Sequence, residues 1–355
     1  MEDSLTVLDL FSGCGGFSYG FQSSGFRVVA GVDNSEIALK TFELNHIGSK
    51  GLLVDMFADD AISKIKKSLP SGKVDVIIGG PPCQGFSLTG TRRESDKRNR
   101  LFYSVFELAK ETSPSAIIIE NVPGIVKLYG GVAKAEIYRL AEEMGYSCTH
   151  KELFAPDYGV PQIRKRVFFV ALKKELGIFE FPEPTNTPEE YVGCEAAIGD
   201  LPSLESDNGN ESMDYSIPHQ SDYQMQMREG SNRLFNHVST IHSQHVVNVI
   251  SQVPEGGNHK DLPPGVGDSR QFNEAWTRYH SQKPSKTIDT GHRNHFHYKW
   301  NRVPTVRENA RLQSFPDKFV FKGNKTEQYR QVGNAVPPIL GKVIADALKD
   351  YLIND

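Results

Sequence analysis

The feature that most constrains the fold is a regular alternation of short apolar runs with helix-like segments between residue 5 and about residue 172. The runs have the length of buried strands, and the segments between them carry apolar residues at the spacing of an amphipathic helix. This alternation predicts a parallel, doubly wound α/β sheet of Rossmann-like type. The strand candidates are TVLDLF, RVVAGVD, KVDVIIGG, SAIIIEN and RVFFVAL, and the helix candidates are EIALKTFELNH, RLFYSVFELAKE and AKAEIYRLAEEMG.

The alternation ends after Pro182, and the chain is then rich in turn-forming and acidic residues, followed by a stretch rich in Gly, Pro and His. We interpret residues 1–181 as a catalytic and cofactor-binding domain and residues 182–300 as a smaller, loop-rich domain. The last segment, 301–355, contains NAVPPILGKVIADALKDYLI. Its prolines suit a first helical turn and its apolar residues share one helical face, so we expect this segment to return to the first domain.

Composition argues against a membrane protein and against a disulfide framework. No stretch approaches the roughly 18 consecutive apolar residues of a membrane span. The start, MEDSLTVLDLF, is acidic and lacks the basic flank of a signal peptide. The four cysteines are widely separated, and none has a CxxC zinc spacing. We therefore expect a cytoplasmic protein without a membrane partner, in which any special cysteine acts alone.

Charge is distributed unevenly along the chain, although the net charge is only −4. Residues 175–222 contain twelve Asp or Glu and no Lys or Arg. Residues 228–330 contain sixteen Lys or Arg against nine acidic residues, together with eight of the eleven histidines. The second stretch could bind a polyanion or could equally be an ordinary solvated surface, so charge alone leaves both interpretations open.

A glycine-rich turn, DLFSGCGGFSYG, follows the first predicted strand and opens a helix. Gly13 and Gly15 lack side chains where the backbone would approach a ligand, but the pattern only approximates GxGxxG and a purely structural turn is an equal alternative. Asp33 ends the next strand, where a carboxylate can accept hydrogen bonds from both ribose hydroxyls. Asp55 follows the third apolar run and could meet an adenine amino group. These residues favour an adenosyl cofactor, either NAD or S-adenosylmethionine.

A cysteine and a glutamate follow two neighbouring predicted strands. Cys83 stands behind two prolines in GGPPCQGFS, and residues 89–100 form a basic loop with five Lys or Arg against two acids. A small buried cysteine is the usual alternative, but a turn between glycines makes that interpretation less attractive. Glu120 ends the apolar strand AIIIEN, where an acid is costly unless it is paired or functional. A thiolate nucleophile and a proton donor could therefore meet in one crevice.

Six segments together resemble the DNA (cytosine-5)-methyltransferase family, in particular the prokaryotic restriction-modification type. They have the order and separations typical of that family and cover nearly the whole chain except about residues 182–277, which correspond to its variable target-recognition region. The resemblance implies a Rossmann-like, S-adenosylmethionine-dependent methyltransferase domain with a smaller target-recognition domain. The segments are FSGCGGFSYG, GGPPCQGFS, IIENVPG, YGVPQIRKRVFFVA, TVRENARLQSFPD and QVGNAVPP.

The resemblance implies a covalent mechanism at the matched positions. Cys83 would add to C6 of a cytosine flipped out of double-stranded DNA, and Glu120 would assist at N3. Arg164 and Arg166 would bind the base and the adjacent backbone, with Arg166 at the C2 carbonyl oxygen. A methyl group would pass from S-adenosylmethionine to C5, and S-adenosylhomocysteine would be released. We expect a monomer; a separately encoded restriction endonuclease could accompany it, and an orphan enzyme fits equally well.

The resemblance also implies a set of cofactor-binding residues. Phe11 would stack on adenine, Asn334 would lie near the methionine part, and the glycines and aspartates would act as described above. Asn34 departs from the family pattern, because some relatives have a stacking aromatic there, and VDM stands where others have a GD pair. The full set is Phe11, Gly13, Gly15, Asp33, Asp55, Pro81 and Asn334.

Two further segments bear on DNA and metal binding. The loop from Gln84 to Arg100 is predicted to close over the flipped base. The stretch GHRNHFHYKW at residues 291–300 is rich in histidine but lacks an obvious fourth zinc ligand, so we expect no metal. The predicted DNA contacts in the loop are Ser87, Arg92, Arg93 and Arg98.

Three other functions compete with this interpretation. A tRNA-methylating branch of the same family shares the thiol and ENV, but usually has a CFT tripeptide that is absent here. A methyltransferase-like protein that only binds DNA would be expected to have lost Cys83 or Glu120. An NAD oxidoreductase would explain the glycines and Asp33 but not PPC, ENV or the final helix. DNA methylation is therefore favoured.

Overall fold

The computed structural model of the protein describes residues 4–82, 100–266, 275–291 and 294–353. Contacts divide the chain into two units: unit 1 is Met1–Phe154, Lys165–Glu183 and Pro338–Asp355, and unit 2 is Ala155–Arg164 and Pro184–Pro337. Residues 301–337 therefore cluster with unit 2, although we expected the whole segment 301–355 to return to the first domain. The reason is that arginines in this segment form ion pairs within unit 2.

The central sheet of unit 1 has seven strands in the order β3-β2-β1-β4-β5-β7-β6, and unit 2 contains two small sheets among its described residues. Strands β1 to β5 are parallel to one another, because a helix connects each to the next. The strands are β1 (Thr6–Leu10), β2 (Arg27–Asp33), β3 (Lys50–Leu53), β4 (Val76–Gly79), β5 (Ala116–Asn121), β6 (Tyr146–Phe154), β7 (Lys165–Lys173), β8 (Gly209–Met213), β9 (Leu234–Val238), β10 (Thr277–Arg278) and β11 (His295–Phe296).

The helices confirm the predicted periodicity where it was strongest. The segments predicted as helices after β2, after β5 and at the end of the chain correspond to α2, α5 and α11, and RLFYSVFELAKE lies in α4. The helices are α1 (Gly16–Ser23), α2 (Glu36–Asn45), α3 (Ala61–Ser68), α4 (Arg100–Thr112), α5 (Val132–Glu143), α6 (Cys194–Ile198), α7 (Asp222–Arg228), α8 (Gln244–Gln252), α9 (Val306–Leu312), α10 (Lys325–Asn334) and α11 (Pro338–Leu352).

Strand β7 departs from the wholly parallel sheet that we expected, because it runs antiparallel to both β5 and β6. Residues 155–164 join β6 to β7 without a crossover helix, and a parallel pair would need one. The reversal places the first residues of β7 at the edge of the sheet where β5 ends, with Val167 opposite Asn121.

The core of unit 1 lies on both faces of the sheet. Apolar residues of β1, β4 and β5 pack with those of α3, α4 and α5 in one buried cluster. On the other face, α11 packs against α1 at a pair of glycines. A Cβ atom on Gly20 would lie only 2.5 Å from the carbonyl carbon of Gly341, so the missing side chains allow the two backbones to approach closely. The C-terminal helix therefore joins unit 1, as its apolar face predicts.

Unit 2 is rich in loops, as expected, and its interior contains buried ion pairs. Helix α9, from the segment TVRENARLQSFPD, is buried along its whole length. The Arg302 guanidinium donates to Glu308 at 2.6 and 2.7 Å, and that of Arg311 donates to Asp317 at 2.7 and 2.8 Å. Arg311 also pairs with Asp200. This motif therefore organises the interior of unit 2.

Candidate active site

The carboxyl ends of five parallel strands lie along one edge of the central sheet, which is where open α/β folds bind ligands. Phe11 directly follows β1, and Asp33 is the last residue of β2. Asp55 lies two residues beyond β3, Pro81 lies two residues beyond β4, and Glu120 is the next-to-last residue of β5. The fold thus brings these predicted site residues to the same edge.

The two glycines of the first turn have different surroundings. Gly13 has a φ of +54°, and a Cβ atom there would meet nothing within 4 Å. Gly15 has a φ of +91°, and a Cβ atom there would overlap the His46 ring and lie 2.7 Å from Cδ2 of Phe42. Gly15 is therefore required by packing inside unit 1, whereas Gly13 borders open space that a ligand can use.

Asp33 is tied to this turn through its carboxylate. Its Oδ2 accepts a hydrogen bond from the Gly13 backbone N–H at 2.8 Å, and its Oδ1 accepts one from the Ser35 N–H at 2.9 Å. Each carboxylate oxygen can accept a further hydrogen bond, and Asp33 is only half-buried. The group is thus oriented and still able to receive two ribose hydroxyls.

Two other residues at this edge suit an adenine ring. Phe11 has a φ of +58°, a left-handed conformation that is strained for an aromatic residue and that is concentrated at functional sites. Its side chain is partly buried against the core cluster. Asp55 is exposed, and its Oδ1 accepts from the Phe57 N–H at 2.9 Å. The donor set and the open space beside Gly13 together fit an adenosyl group.

Glu120 and Arg166 form an ion pair at the same edge. Nε of Arg166 lies 2.9 Å from Oε1 of Glu120, with side-chain exposures of 16% and 12%. A Cβ atom on Gly80 would lie 3.0 Å from Oε2 of Glu120, so the turn after β4 passes directly beside this carboxylate. The antiparallel direction of β7 explains the pair, because it brings the start of β7 to the end of β5. A carboxyl group and a guanidinium are thus held together next to the turn.

Asn121 is a positioning residue to which sequence reasoning assigned no role. Its Nδ2 donates to the Pro81 carbonyl oxygen at 2.8 Å, and its Oδ1 accepts from the Val122 N–H at 2.9 Å. The amide thereby ties the end of β5 to the turn that leads into residue 83. The signal was present in the sequence, because an amide directly after an apolar strand and beside Glu120 needs a partner when buried.

Arg164 lies in a different environment from Arg166. It is 2% exposed, and its Nη2 donates to the carbonyl oxygens of Gly333 and Ala335, both at 3.1 Å. Its Nη1 donates to Oε1 of Gln162 at 3.4 Å. This guanidinium serves backbone acceptors within unit 2. The geometry therefore does not support the expected direct contact between Arg164 and a base.

A second unanticipated group, Asp9, lies in β1 next to the first turn. It is 2% exposed, and its neighbours on the adjoining strands are Gly31 and Ile78. Burial raises the pKa of Asp9 to about 7, although hydrogen bonds from Ser18 lower it in part. A substantial fraction of this carboxyl group is therefore protonated at neutral pH. Asp9 lies within a strand-like apolar run, and its raised pKa could not be predicted from that pattern.

Several predicted residues lie outside the described part of the chain: Cys83, Ser87, Arg92, Arg93 and Arg98. Asn334 is the last residue of α10 and is exposed. The basic stretch 228–330 proves mixed, because Arg278, Arg302, Arg307 and Arg311 are buried. Among the described residues of this stretch, the exposed basic ones are Arg233, Lys260, Lys283, Lys299, Lys318, Lys322 and Arg330.

In the histidine-rich stretch, His297 is buried and accepts hydrogen bonds from the backbone. His297 is 2% exposed, and its Nδ1 accepts from the N–H groups of Lys299 and Trp300 at 3.0 and 3.1 Å. Within the described ranges, no group of three or more His, Cys, Asp or Glu residues could hold a metal ion. No helix in the same ranges is both long and apolar enough to cross a membrane.

Fold and site together define a Rossmann-like α/β enzyme whose candidate chemistry lies at the carboxyl edge of the sheet. The sequence profile of the C-5 cytosine-specific DNA methylase family matches residues 5–350. The chain therefore belongs to this family and is a DNA cytosine methyltransferase, and the family implies a methyl donor of the S-adenosylmethionine type.

Several known proteins are similar to this chain over almost its whole length. The Type II methyltransferase M1.HphI of Haemophilus parahaemolyticus is 39% identical over 362 residues, covering 99% of this chain and 88% of that protein. M.DdeI of Desulfomicrobium norvegicum is 36% identical, with coverages of 99% and 91%. A crystal structure of a prophage-encoded protein from E. coli, assigned as a DNA modification methyltransferase, is 28% identical with a TM-score of 0.79 over 99% of this chain and 100% of that one.

Proposed function

We propose that the protein transfers a methyl group from S-adenosylmethionine to C5 of a cytosine that has been flipped out of double-stranded DNA. The observation that carries this proposal is the Glu120–Arg166 ion pair at 2.9 Å, which lies beside the turn that leads into Cys83. In a chain that belongs to the C-5 cytosine-specific DNA methylase family, this pair is suited to bind and activate the base.

The residues divide the chemistry between them. C5 of cytosine is too weak a nucleophile to attack a methyl group unaided, so the Cys83 thiolate first forms a bond to C6. Glu120 neutralises the charge that this addition creates at N3, and Arg166 donates to O2. C5 then bonds to the methyl carbon while the bond from that carbon to the donor sulfur breaks. Loss of the C5 proton to a base and departure of the Cys83 thiolate give 5-methylcytosine.

The methyl donor fits the groups at the strand ends. S-adenosylmethionine supplies an electrophilic methyl group when bound. Asp33 accepts hydrogen bonds from the ribose hydroxyls, Asp55 accepts one from the adenine amino group, and Phe11 covers one face of adenine. Gly13 leaves room for the ligand, and the turn containing Pro81 borders it. Asn334 contacts the methionine part. S-adenosylhomocysteine is the second product.

DNA binding needs contacts that offset unstacking of the target base, which costs a few kcal/mol. Ser87, Arg92, Arg93 and Arg98, which follow Cys83 in the sequence, supply some of these contacts. The exposed Lys and Arg residues of unit 2 contact phosphates, so binding weakens as the salt concentration rises. The buried arginines, such as Arg311, do not take part.

The similarity to Type II methyltransferases suggests the setting in which the enzyme works. We propose that this protein has a separately encoded restriction endonuclease of matching specificity as its partner in the cytoplasm. It acts as a monomer on DNA. Sequencing of the DNA beside the coding region would test for the endonuclease.

Covalent trapping tests the central step. Duplex DNA with 5-fluorocytosine at the target position should form an adduct with the enzyme and S-adenosylmethionine that survives denaturation, because fluorine at C5 cannot leave as a proton does. Mass spectrometry should locate the adduct on Cys83. The Cys83→Ala variant should form none and should still bind the duplex. Absence of any adduct from the active wild-type enzyme would overturn the covalent mechanism.

Bisulfite sequencing identifies the substrate and the site. Plasmid DNA from cells expressing the protein should contain methylcytosine in one short sequence, and DNA from cells expressing Cys83→Ala should contain none. Methyl transfer to tRNA but not to duplex DNA in the same preparation would assign the enzyme to the RNA-modifying alternative.

A further inference from the structure

The backbone around Asn334 is held from three sides by residues of unit 2. The Gly333 and Ala335 carbonyl oxygens, one on each side of Asn334, both accept hydrogen bonds from Nη2 of Arg164. The Ala335 oxygen also accepts from Nε2 of Gln313 at 2.6 Å. On the third side, a Cβ atom on Gly333 would lie 2.5 Å from the carbonyl carbon of Asp289, so no side chain fits between them.

The guanidinium that makes this clamp is itself fixed. Arg164 donates to Oε1 of Gln162, and the same Gln162 oxygen accepts from the Ile288 N–H at 3.1 Å. The Gln162 amide group donates to the carbonyl oxygen of Leu312 at 3.3 Å and to the side chain of Gln313. A chain of buried amides therefore connects Arg164, the segment after Ser285 and the end of α9.

Burial and orientation make Arg164 a poor group for contacting a base. Only 2% of the residue is exposed, and a charged side chain that is buried to this extent is normally paired with other groups of the protein. Its partners include Oε1 of Gln162 and two main-chain carbonyl groups, which need donors when buried. Asn334, by contrast, is exposed at the end of α10. The arrangement is that of an exposed amide on an immobilised backbone, which is how a ligand-binding side chain is preorganised.

We propose that Arg164 is a positioning residue that fixes the backbone on both sides of Asn334 and thereby controls binding of the methyl donor rather than binding of the cytosine. This inference rests on the proposed role of Asn334 at the methionine part of the donor. It separates the two arginines of the segment QIRKR: Arg166 acts on the base together with Glu120, and Arg164 acts on the donor through Asn334.

The experiment compares Arg164→Met, Arg164→Lys, Arg166→Met and Asn334→Ala in the full-length protein. Calorimetry with S-adenosylhomocysteine gives the Kd of the donor site. A DNA duplex is first selected from a random pool by its binding to the wild-type protein, and fluorescence anisotropy with this duplex then gives the DNA Kd. Arg164→Met should raise the donor-site Kd about 10- to 100-fold, since displacing a binding group by about 1 Å has effects of that size. The DNA Kd should change less than about 3-fold, roughly 0.6 kcal/mol or less.

The other variants separate the possible outcomes. Arg164→Lys keeps a cationic donor and should recover part of the donor affinity, while Arg166→Met should leave that affinity unchanged and lower kcat. If Asn334→Ala leaves the donor-site Kd unchanged, the proposed role of Asn334 fails. If Asn334→Ala weakens donor binding but neither Arg164 variant does, the positioning role of Arg164 is wrong. If Arg164→Met does not fold, the Arg164→Lys result alone decides: equal weakening of donor and DNA binding would overturn the inference.

Discussion

The strand ends of unit 1 and the interior of unit 2 both bring a glutamate and an arginine into contact, and the two pairs have different surroundings. Glu120 and Arg166 retain side-chain exposures of 12% and 16% at the edge of the sheet. Glu308 and Arg302 have exposures of 1% and 8%, and Glu308 also accepts from the Thr305 N–H at 2.7 Å. Glu120, Arg166 and Glu308 all lie in segments that resemble family motifs, so membership of a motif does not by itself show whether a residue serves catalysis or stability.

Electrostatics adds to this difference. Burial alone would raise the pKa of Glu308, but the nearby Arg302 guanidinium outweighs burial, and the pKa lies below its usual range. Burial acts in the same direction on Asp317, where the Arg311 guanidinium again lowers the pKa overall. These carboxylates have strong fixed partners and do not exchange protons near neutral pH. Glu120 pairs with Arg166 beside the turn after β4, and its side chain is 12% exposed.

The largest effect should come from replacing the two glutamates in turn. Glu120→Gln should lower kcat by about 10²- to 10⁴-fold, because an amide cannot exchange a proton at N3. Its Tm and its donor affinity should stay near those of the wild type. Glu308→Gln should instead affect stability: it should lower the Tm by several degrees, because Arg302 loses its buried counter-charge. Single-turnover methyl transfer and thermal unfolding measure the two properties, and a Glu120→Gln protein that unfolds as readily as Glu308→Gln would remove the distinction.

Arg311 tests how much the ionic interior contributes to stability. Arg311→Met should lower the free energy of unfolding by about 3–5 kcal/mol, since it removes a buried guanidinium that pairs with both Asp200 and Asp317 and leaves these carboxylates only Arg228 and Arg307. The matched control is Arg139→Met on α5. The Arg139 side chain is 49% exposed, and its partners Glu136 and Glu143 are 21% and 58% exposed. That change should cost about 0–1 kcal/mol. Urea unfolding of both variants gives the comparison, and similar losses would contradict the structural role of the buried cluster.

The sequence predicted unit 1 better than unit 2 for a physical reason. Strands such as β5 are buried on both faces, so they contain continuous apolar runs such as AIII that are easily recognised in a sequence. Strand β6 was missed because YSCTHKELF lies at the edge of the sheet and is mostly polar. The predicted parallel direction of β7 was also wrong, because the direction depends on the length and structure of residues 155–164 and not on the sequence of the strand itself.

The site shows the same division. Residues at strand ends, such as Asp33 and Glu120, could be located because the ends of parallel strands share one edge. The burial of Arg164 could not be predicted, since two of its acceptors are main-chain carbonyl groups about 170 residues away. Every residue has such a carbonyl group, so the sequence does not indicate which of them Arg164 contacts. Asn121 was visible as an unusual residue, but its acceptor, the Pro81 carbonyl, was not.

Dependence on pH should distinguish the two units through their buried titratable groups. Burial lowers the pKa of His297 to about 3 and that of His237 to about 4. Between pH 4 and 6.5 these histidines therefore bind protons in the unfolded chain and not in the folded one. Unit 2 loses stability as the pH falls through that range. Asp9 in unit 1 has the opposite sign. Burial raises its pKa from 3.8 to about 7, so the folded state binds the extra proton and loses stability as the pH rises from 4 to 7.

Two variants isolate these contributions. Relative to the wild type, His297→Asn should gain stability as the pH falls from 6.5 to 4, and Asp9→Asn should gain stability as the pH rises from 4 to 7. Each gain should approach about 1.4 kcal/mol per unit of pKa shift removed. Hydrogen exchange of amides in β1 and in β11 measures the two units separately. Parallel pH profiles for variant and wild type would show that the buried group is not responsible.

The smallest effects should appear within a single turn, at Gly13 and Gly15. Alanine at position 15 needs a left-handed backbone and puts a methyl group into the space of the His46 and Phe42 rings, so it should destabilise the fold by about 1–3 kcal/mol. Alanine at position 13 has the same backbone strain, about 1–2 kcal/mol, but meets no protein atom within 4 Å. Its methyl group would occupy the space proposed for the methyl donor. Gly13→Ala should therefore weaken S-adenosylhomocysteine binding at least as strongly as Gly15→Ala does, and the Gly13→Ala protein should unfold at a higher temperature than Gly15→Ala. Calorimetry measures the binding, and thermal unfolding measures the stability. Unchanged binding in Gly13→Ala would mean that no ligand occupies the open space beside this glycine.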